Sequence, residues 1–455
     1  MKPSKNLLLM SITGVLSLTG CGGSSSEEPV EPPPVANPPP DPEVTVTYPQ
    51  GPLAAIFDGV LEGADYWSEE PKILSAGVGF TDIIGLQTDN LDEDIVRQAG
   101  GAWSTAFNCE DDQRNITSAV TQEQVSNAYI MQRPYGDLLD DAIGIDGLPV
   151  VFSWPVDTST IDLTDFQITL NTGEVVSPLA ASPAPNVENN ERNVVVLFGE
   201  FANRLTSDSS EARFPVKVEI IEDDNPLILV GPDQQVIEAV GLSWETDSSP
   251  YDDNNGPRLV GAKLNHVGDE AIGESFNLPA VISNAFPPND EFVLYDEGDF
   301  RIRILTTGGF SPDGVRGVLP TDFETFFKIH VSGENGSTVI MDISNVDYSV
   351  PGGSLRVVGL SDLGQRAGTD VSYDGCYDED YDNYIDIILV GDEAAARNIT
   401  YIEIPSLAGN YAAFYNPGGP GSTPFAEVTY TSPGPADLEP VIIALDDPMR
   451  VNYNP

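Results

Sequence analysis

The sequence has few of the residues that usually build catalytic and metal sites. Its 455 residues include three cysteines and two histidines, His266 and His330. A zinc site of several histidines is therefore excluded, and there is no HExxH motif. We find no convincing G-x-S-x-G elbow of a serine hydrolase and no glycine-rich loop with P-loop or dinucleotide spacing. His330 lies in the alternating run Phe327–Val331, which predicts an ordinary strand position.

Basic residues are also scarce. The chain has 20 Lys and Arg against 72 Asp and Glu, which gives a formal net charge of −52. This charge excludes nucleic acid as a partner, because phosphate binding needs a basic surface. It also argues against electrostatic binding to anionic lipid. Two explanations of the acidity stay open: solubility in a salty exterior, where repulsion is screened within ~8 Å, or the binding of cations.

No apolar run is long enough to span a bilayer, which takes ~20 residues. The apolar stretch Leu7–Leu18 follows Lys2 and Lys5, an order typical of a removable signal peptide. Leu18-Thr19-Gly20-Cys21 resembles the lipobox of bacterial lipoproteins. The resemblance implies a signal peptide over residues 1–20, cleavage before Cys21 and lipid, such as palmitate, on that cysteine. The alternative is a plain secretory signal. By the same resemblance to bacterial lipoproteins, Gly22 after the cysteine implies sorting to the outer membrane, facing either the periplasm or the cell exterior.

Residues 21–49 read as the lipidated cysteine and a tether. Prolines cluster in this segment, with Pro32–Pro34 and Pro38–Pro40 as runs of three. Such composition favours an extended polyproline II spacer of ~3 Å per residue. It would hold the following domains several nanometres from the lipid surface.

If lipid occupies Cys21, Cys109 and Cys376 remain as an even pair in an exported chain. This predicts one disulfide between them, with two buried free thiols as the alternative. It would close a loop of over 260 residues, which the chain-entropy model values at roughly 5 kcal/mol.

An acidic run follows Cys376 and has the alternating spacing of calcium loops. Carboxylate oxygens at such spacing can converge on a hard cation that takes six to eight oxygen ligands. The run departs from an EF-hand, because Asn383 replaces the usual glycine and Leu389 the usual glutamate. A solvated acidic turn is the alternative to a Ca²⁺ site. The predicted ligands are Asp378, Asp380, Asp382 and Asp386, with Glu110, Asp111 and Asp112 beside Cys109 as further candidates.

The body of the chain is predicted to be mainly β. Residues 50–146 read as a smaller mixed α/β, partly helical region, with helical patterns over Asp89–Ala99 and Thr121–Arg133. Residues 147–221 resemble the opening strands of bacterial immunoglobulin-like domains, in the run VVFSWPVDTSTIDLTDFQITLNTGEVV. The resemblance implies an immunoglobulin-like β-sandwich and no activity. Within this region, Asp165–Leu170 and Glu174–Val176 flank the turn Asn171–Gly173 and predict a hairpin. Residues 222–345 predict a further β domain, and residues 346–455 a C-terminal β region that carries the acidic loop. Predicted strands in these two regions include Glu291–Tyr295, Phe326–Val331, Ser354–Val358, Tyr384–Val390 and Phe425–Tyr430.

Three functions are compatible with these features. The first is a non-catalytic binding or envelope-interaction lipoprotein, with a glycan or a protein as partner. The second is a tethered hydrolase of polysaccharide or ester, with tryptophans lining a sugar cleft: Trp67, Trp103, Trp154 and Trp244. Tryptophans are more often core residues, and Trp154 has the pattern of a sandwich core. The third is a structural spacer in an envelope complex. A cleft with two carboxylates roughly 5–9 Å apart would favour the hydrolase, and an exposed aromatic patch would favour binding.

Overall fold

Strands dominate the fold, as the sequence predicts. The computed structural model describes residues 57–76, 85–86, 92–98, 103–109, 112–117, 120–121, 146–183, 191–203, 205–267, 297–311, 318–361, 383–405, 411–413 and 432–455. No helix among these residues is long and apolar enough to cross a membrane.

The strands of the first half are β1 Leu61–Asp65, β2 Ile73–Ala76, β3 Gly85–Leu86, β4 Trp103–Cys109, β5 Asp112–Thr117, β6 Val120–Thr121, β7 Asp146–Phe152, β8 Phe166–Leu170, β9 Val175–Val176, β10 Ala180–Ser182, β11 Val194–Gly199, β12 Pro215–Ile220, β13 Ile228–Gly231, β14 Gln235–Glu238 and β15 Ser243–Glu245. Those of the second half are β16 Leu259–His266, β17 Phe300–Thr306, β18 Phe310–Ser311, β19 Lys328–Ser332, β20 Thr338–Met341, β21 Tyr348–Val350, β22 Gly353–Ser361, β23 Tyr384–Gly391, β24 Ile399–Ile404, β25 Ala412–Ala413, β26 Asp437–Pro440, β27 Ile442–Ile443 and β28 Arg450–Tyr453. Three short helices are α1 Glu93–Gln98, α2 Phe323–Phe326 and α3 Glu393–Ala396.

Two antiparallel sheets share the first core. One has the order β10-β11-β7-β2 and the other β15-β12-β8-β9. Successive strand side chains point to opposite faces, so Phe166, Ile168 and Leu170 turn inward together. They meet Phe152 of β7 and the buried Trp154 in one cluster. The predicted hairpin between β8 and β9 is confirmed by their antiparallel pairing.

A second pair of sheets shares the second core. The larger sheet has the order β21-β22-β23-β17-β16-β27, and the smaller one β20-β19-β24-β26. Ile302 and Ile385 of the larger sheet pack in one cluster with Ile329 and Ile402 of the smaller sheet. The larger sheet contains strands from both sides of residue 345, the boundary that the sequence predicts between two β regions.

The outer faces of the two sandwiches meet in a third cluster. Val151 and Val196 come from the sheet of β7 and β11, whereas Leu305 and Tyr384 come from that of β17 and β23. Trp67 lies between them in the same cluster. The two sandwiches therefore bury one face of each against the other.

The N-terminal region is where sequence and structure differ most. Helix α1 falls inside the predicted helical stretch Asp89–Ala99. Strands β1 and β2, which the sequence pattern did not indicate, join β28 and β7 respectively. Short strands of four or five residues leave little periodicity to read, and distant partners stabilise them. Three predicted elements fall on residues outside those that the structure describes. They are the strands Glu291–Tyr295 and Phe425–Tyr430, and the helix Thr121–Arg133 beyond its first residue.

Candidate functional site

Six charged side chains from five strands converge where the two sandwiches meet. We define them as the junction cluster: Asp65, Lys263, Arg301, Arg303, Asp386 and Arg450. Strand register explains most of the convergence, because Lys263 is directly opposite Arg303, and Arg303 is opposite Asp386. Arg301 is two residues from Arg303 and so lies on the same face. Asp65 and Arg450 are paired at the end of β1 and the start of β28.

Asp65 accepts hydrogen bonds from three cations. Its Oδ1 lies 2.6 Å from Lys263 Nζ and 2.9 Å from Arg450 Nε. Its Oδ2 lies 3.3 Å from Arg303 Nη1. Asp65 thus connects strands that lie 198 residues or more apart along the chain.

Asp386 is held by two guanidinium groups. Arg303 binds it in a two-pronged arrangement, with Nε 2.8 Å from Oδ1 and Nη2 2.9 Å from Oδ2. Arg301 Nη1 donates to the same Oδ2 at 3.1 Å. Paired guanidinium–carboxylate bonds are among the stronger hydrogen bonds in proteins. Arg303 therefore links Asp386 to Asp65, and it also lies 3.6 Å from Glu191.

The junction cluster is excluded from solvent. The side chains of Asp65, Lys263, Arg301, Arg303 and Asp386 are each 0% exposed. Burial lowers the pKa of Lys263 to about 8, an effect that Asp65 opposes. Desolvation favours the neutral amine, whereas the neighbouring carboxylate favours the ammonium. A substrate cannot reach these groups while the two sandwiches are packed together.

Aromatic rings cover the cations of the cluster. Lys263 Nζ lies 5.1 Å from the ring centre of Trp67, and the Arg303 guanidinium lies 5.3 Å from that of Tyr384. Such distances permit cation–π attraction. Trp67 packs on Gly261, where a Cβ would approach its ring to 2.6 Å. The glycine therefore leaves the room that the indole occupies. Tyr384 also hydrogen bonds to Asn193 and so reaches the first sandwich.

The hydrogen bonds of the cluster satisfy its carboxylates internally. All four oxygens of Asp65 and Asp386 accept from Lys or Arg. Lys263 also donates to the carbonyl of Met449 at 3.0 Å. The buried amine and acids are thus engaged with each other, and the arrangement is suited to joining the two sandwiches.

The predicted site residues are described only in part. Cys109 ends β4 and is paired in register with Asp112 of β5. Asp386 lies in the junction cluster, with both oxygens bound by guanidinium groups. The described residues hold no disulfide and no group of three or more metal-ligating side chains. The remaining predicted residues lie outside them: Cys21, Glu110, Asp111, Cys376, Asp378, Asp380 and Asp382. The disulfide and the calcium site accordingly stay predictions.

Both histidines lie on strands. His330 is partly exposed on β19, as its alternating run predicts, and its Nε2 lies 2.7 Å from Glu403 Oε2. His266 ends β16, with its ring 5.2 Å from that of Phe300.

Two of the tryptophans considered as lining a sugar cleft are core residues. Trp154 is 1% exposed, as predicted for a sandwich core, and its Nε1 donates to the carbonyl of Ser68 at 2.8 Å. Trp67 is 4% exposed in the junction. Trp244 is partly buried against the first core. The side chain of Trp103 is outside the description.

Sequence reasoning missed all of the junction cluster except Asp386. A signal was present in Arg301-Ile302-Arg303, which places two of only 20 basic residues inside an apolar strand pattern. Buried basic residues are rare unless they are paired, so this spacing indicates buried acidic partners. Asp65 gives no comparable local signal.

Comparison with protein-family models, curated proteins and solved structures finds no match.

Proposed function

We propose that the chain is a membrane-anchored extracytoplasmic lipoprotein of the outer membrane, and that its paired sandwiches form a non-catalytic binding or envelope-interaction body. The anchor is supported by the lipobox-like Leu18–Cys21 and by the proline-rich tether after it. The net charge of −52 supports a partner other than nucleic acid.

The observation that carries the non-catalytic function is the closed junction cluster. Catalytic acids and bases must be within hydrogen-bond reach of a substrate. Asp65, Asp386 and Lys263 are instead fully buried and bonded to one another or to arginines. This strongly charged site therefore supports a structural role, and the function is expected at the surface.

The alternative function is a tethered hydrolase of polysaccharide or ester. It calls for exposed tryptophans beside a cleft with two carboxylates. The burial of Trp67 and Trp154 favours the binding protein over this alternative.

The anchor is tested by Cys21→Ser in cells that express the full chain and are fed an alkyne analogue of palmitate. We expect label and membrane association for the wild type, and loss of both for the variant. Cys109→Ser is the matched control and is expected to keep the label. A wild-type chain that carries no label would overturn the proposal.

The finer structural proposals are an immunoglobulin-like first sandwich, a Cys109–Cys376 disulfide and a Ca²⁺ site beside it. The β8–β9 hairpin and the core position of Trp154 support the first. The register of strands β4 and β5, in which Cys109 is opposite Asp112, supports the other two. An experimental structure of the calcium-treated protein tests all three together.

A further inference from the structure

A second cluster with charged side chains lies on the outer face of the sheet β20-β19-β24-β26. We define the outer-face patch as the outward residues Lys328, His330, Ile340, Tyr401, Glu403, Leu438 and Pro440. Strand register aligns Ile340, His330, Tyr401 and Pro440 in one row across the four strands. Lys328, Glu403 and Leu438 form the adjacent row. The patch is thus a continuous surface on which an aromatic ring and charged groups are neighbours.

Tyr401 and Leu438 are exposed apolar side chains of the patch, at 41% and 52%. The Tyr401 ring meets that of His330 edge-on, with ring centres 6.5 Å apart. His330 is hydrogen bonded to Glu403, and Lys328 Nζ lies 3.8 Å from the other carboxylate oxygen. An exposed ring therefore lies beside a donor and an acceptor that are paired with each other.

The charge of the patch differs from that of the whole chain. Among the described outward residues of these four strands, Glu403 is the one acidic side chain, and Lys328 and His330 accompany it. The chain as a whole carries a formal charge of −52. A neutral ligand fits this face, whereas an anionic polymer would be repelled by the remainder of the molecule.

The size of the face also limits its partner. Four strands at ~4.8 Å spacing and about five residues at ~3.3 Å give an area of about 300 Å². A stable protein–protein interface takes about 800 Å² from each partner. The face is too small for a second copy of the chain, which the charge would also repel. A narrow polymer, in contrast to a folded partner, can bind a face of this size.

We propose that the outer-face patch binds a neutral polysaccharide, an inference that rests on the binding function proposed above. A sugar ring has an apolar face, which suits stacking on Tyr401, and hydroxyl groups that both donate and accept. Glu403 accepts, Lys328 donates and His330 does either according to its tautomer. Tyr401 itself combines an apolar ring with a polar tip. Strands β19 and β24 thereby supply both parts of the recognition.

The test is native affinity electrophoresis of the full-length, detergent-purified protein in gels that contain dextran, soluble starch, galactomannan, xyloglucan or mixed-linkage β-glucan. Alginate is the anionic comparator. We expect at least one neutral polysaccharide to slow the wild type and alginate to leave it unaffected. Tyr401→Ala is expected to weaken the retardation at least tenfold, Glu403→Gln to weaken it less, and Tyr401→Phe to retain it.

Val175→Ala is the matched control, because Val175 is 54% exposed on β9 of the other sandwich. It is expected to migrate like the wild type, and all variants are expected to melt at the wild-type temperature. The proposal is overturned if no neutral polysaccharide retards the wild type, if only alginate does, or if Tyr401→Ala binds unchanged. These outcomes leave the palmitate labelling of Cys21 untouched, so failure of the glycan site is distinguishable from failure of the anchor.

Discussion

Asp65 is the residue on which the junction cluster depends most. It is the shared acceptor for Lys263, Arg303 and Arg450, and it is fully buried. Asp65→Asn removes one negative charge and leaves Lys263, Arg303 and Arg450 without their shared carboxylate in a site that excludes water. Removing one partner of a buried ion pair lowers the free energy of unfolding by about 3–5 kcal/mol. We expect a fall of that size in the free energy of unfolding, measured by urea denaturation of the full chain.

Asp446→Asn is the control with the same chemical change. Asp446 also pairs with an arginine, Arg397, at 2.7 Å, but its side chain is 82% exposed. Exposed ion pairs add little to stability, so its urea midpoint should stay near that of the wild type. Equal midpoints for Asp65→Asn and Asp446→Asn would contradict the role given to the cluster.

Part of the residue-scale picture was predictable from the sequence. The core position of Trp154 and the strand position of His330 followed from local alternation and are confirmed. The partnership of Asp65 with Lys263 spans 198 residues. No local pattern encodes such a contact, because β16 meets the β1–β28 pair only when the whole chain is folded.

At the scale of elements, β28 closes the fold. It pairs with β1, brings Arg450 to Asp65, and follows Met449, whose carbonyl accepts from Lys263 and from the backbone of Tyr66. A stop codon after Pro448 removes all of these contacts. We expect a much lower melting temperature and rapid cleavage in limited proteolysis.

A stop codon after Tyr453 is the control for this truncation. It removes only the exposed Asn454 and Pro455 and keeps β28. Its melting temperature should match that of the wild type. If the longer truncation melted equally high, β28 would not hold the two ends of the fold together.

The acidic run before β23 gives a second prediction for an element. If Asp378, Asp380 and Asp382 bind Ca²⁺, the ion stabilises the folded chain through its preferential binding. The melting temperature should then be higher in millimolar CaCl₂ than with a chelator, and Mg²⁺ at the same concentration should have a smaller effect. Identical melting temperatures in calcium and in chelator would rule out the site.

Elements are predictable to the extent that their alternating or apolar pattern is long. The nine-residue β22 and the eight-residue β23 were foreseen in the sequence as Ser354–Val358 and Tyr384–Val390. Strand β19 was foreseen from Phe326, but α2 occupies Phe323–Phe326 and the strand begins at Lys328. The phenylalanines of the segment Phe323–Phe327 satisfy both patterns, and packing in the second core decides between them.

For the whole molecule, buried carboxyl groups set the pH dependence of stability. Burial raises the pKa of Asp146 to about 7, of Asp165 to about 8 and of Glu439 to about 7. A carboxyl with a raised folded-state pKa stabilises the fold below its unfolded pKa, and that stabilisation is lost as pH rises through the folded pKa. The free energy of unfolding should therefore fall from pH 5 to pH 8.

Lys263 does not reverse this trend in that range. Its pKa is lowered to about 8 from 10.5, so its contribution changes mainly above pH 8. Urea denaturation at unit pH steps in 0.15 M and 1 M NaCl checks the prediction, because high salt screens the general repulsion of the acidic chain. Stability that rises from pH 5 to pH 8 at both salt concentrations would refute it.

The central claim is that the junction cluster joins two sandwiches into one body. Differential scanning calorimetry of the full-length chain tests it most directly. If the sandwiches share this buried interface, they unfold together, and the calorimetric and van't Hoff enthalpies agree for a single transition. Two separate transitions, each with its own midpoint, would contradict the claim.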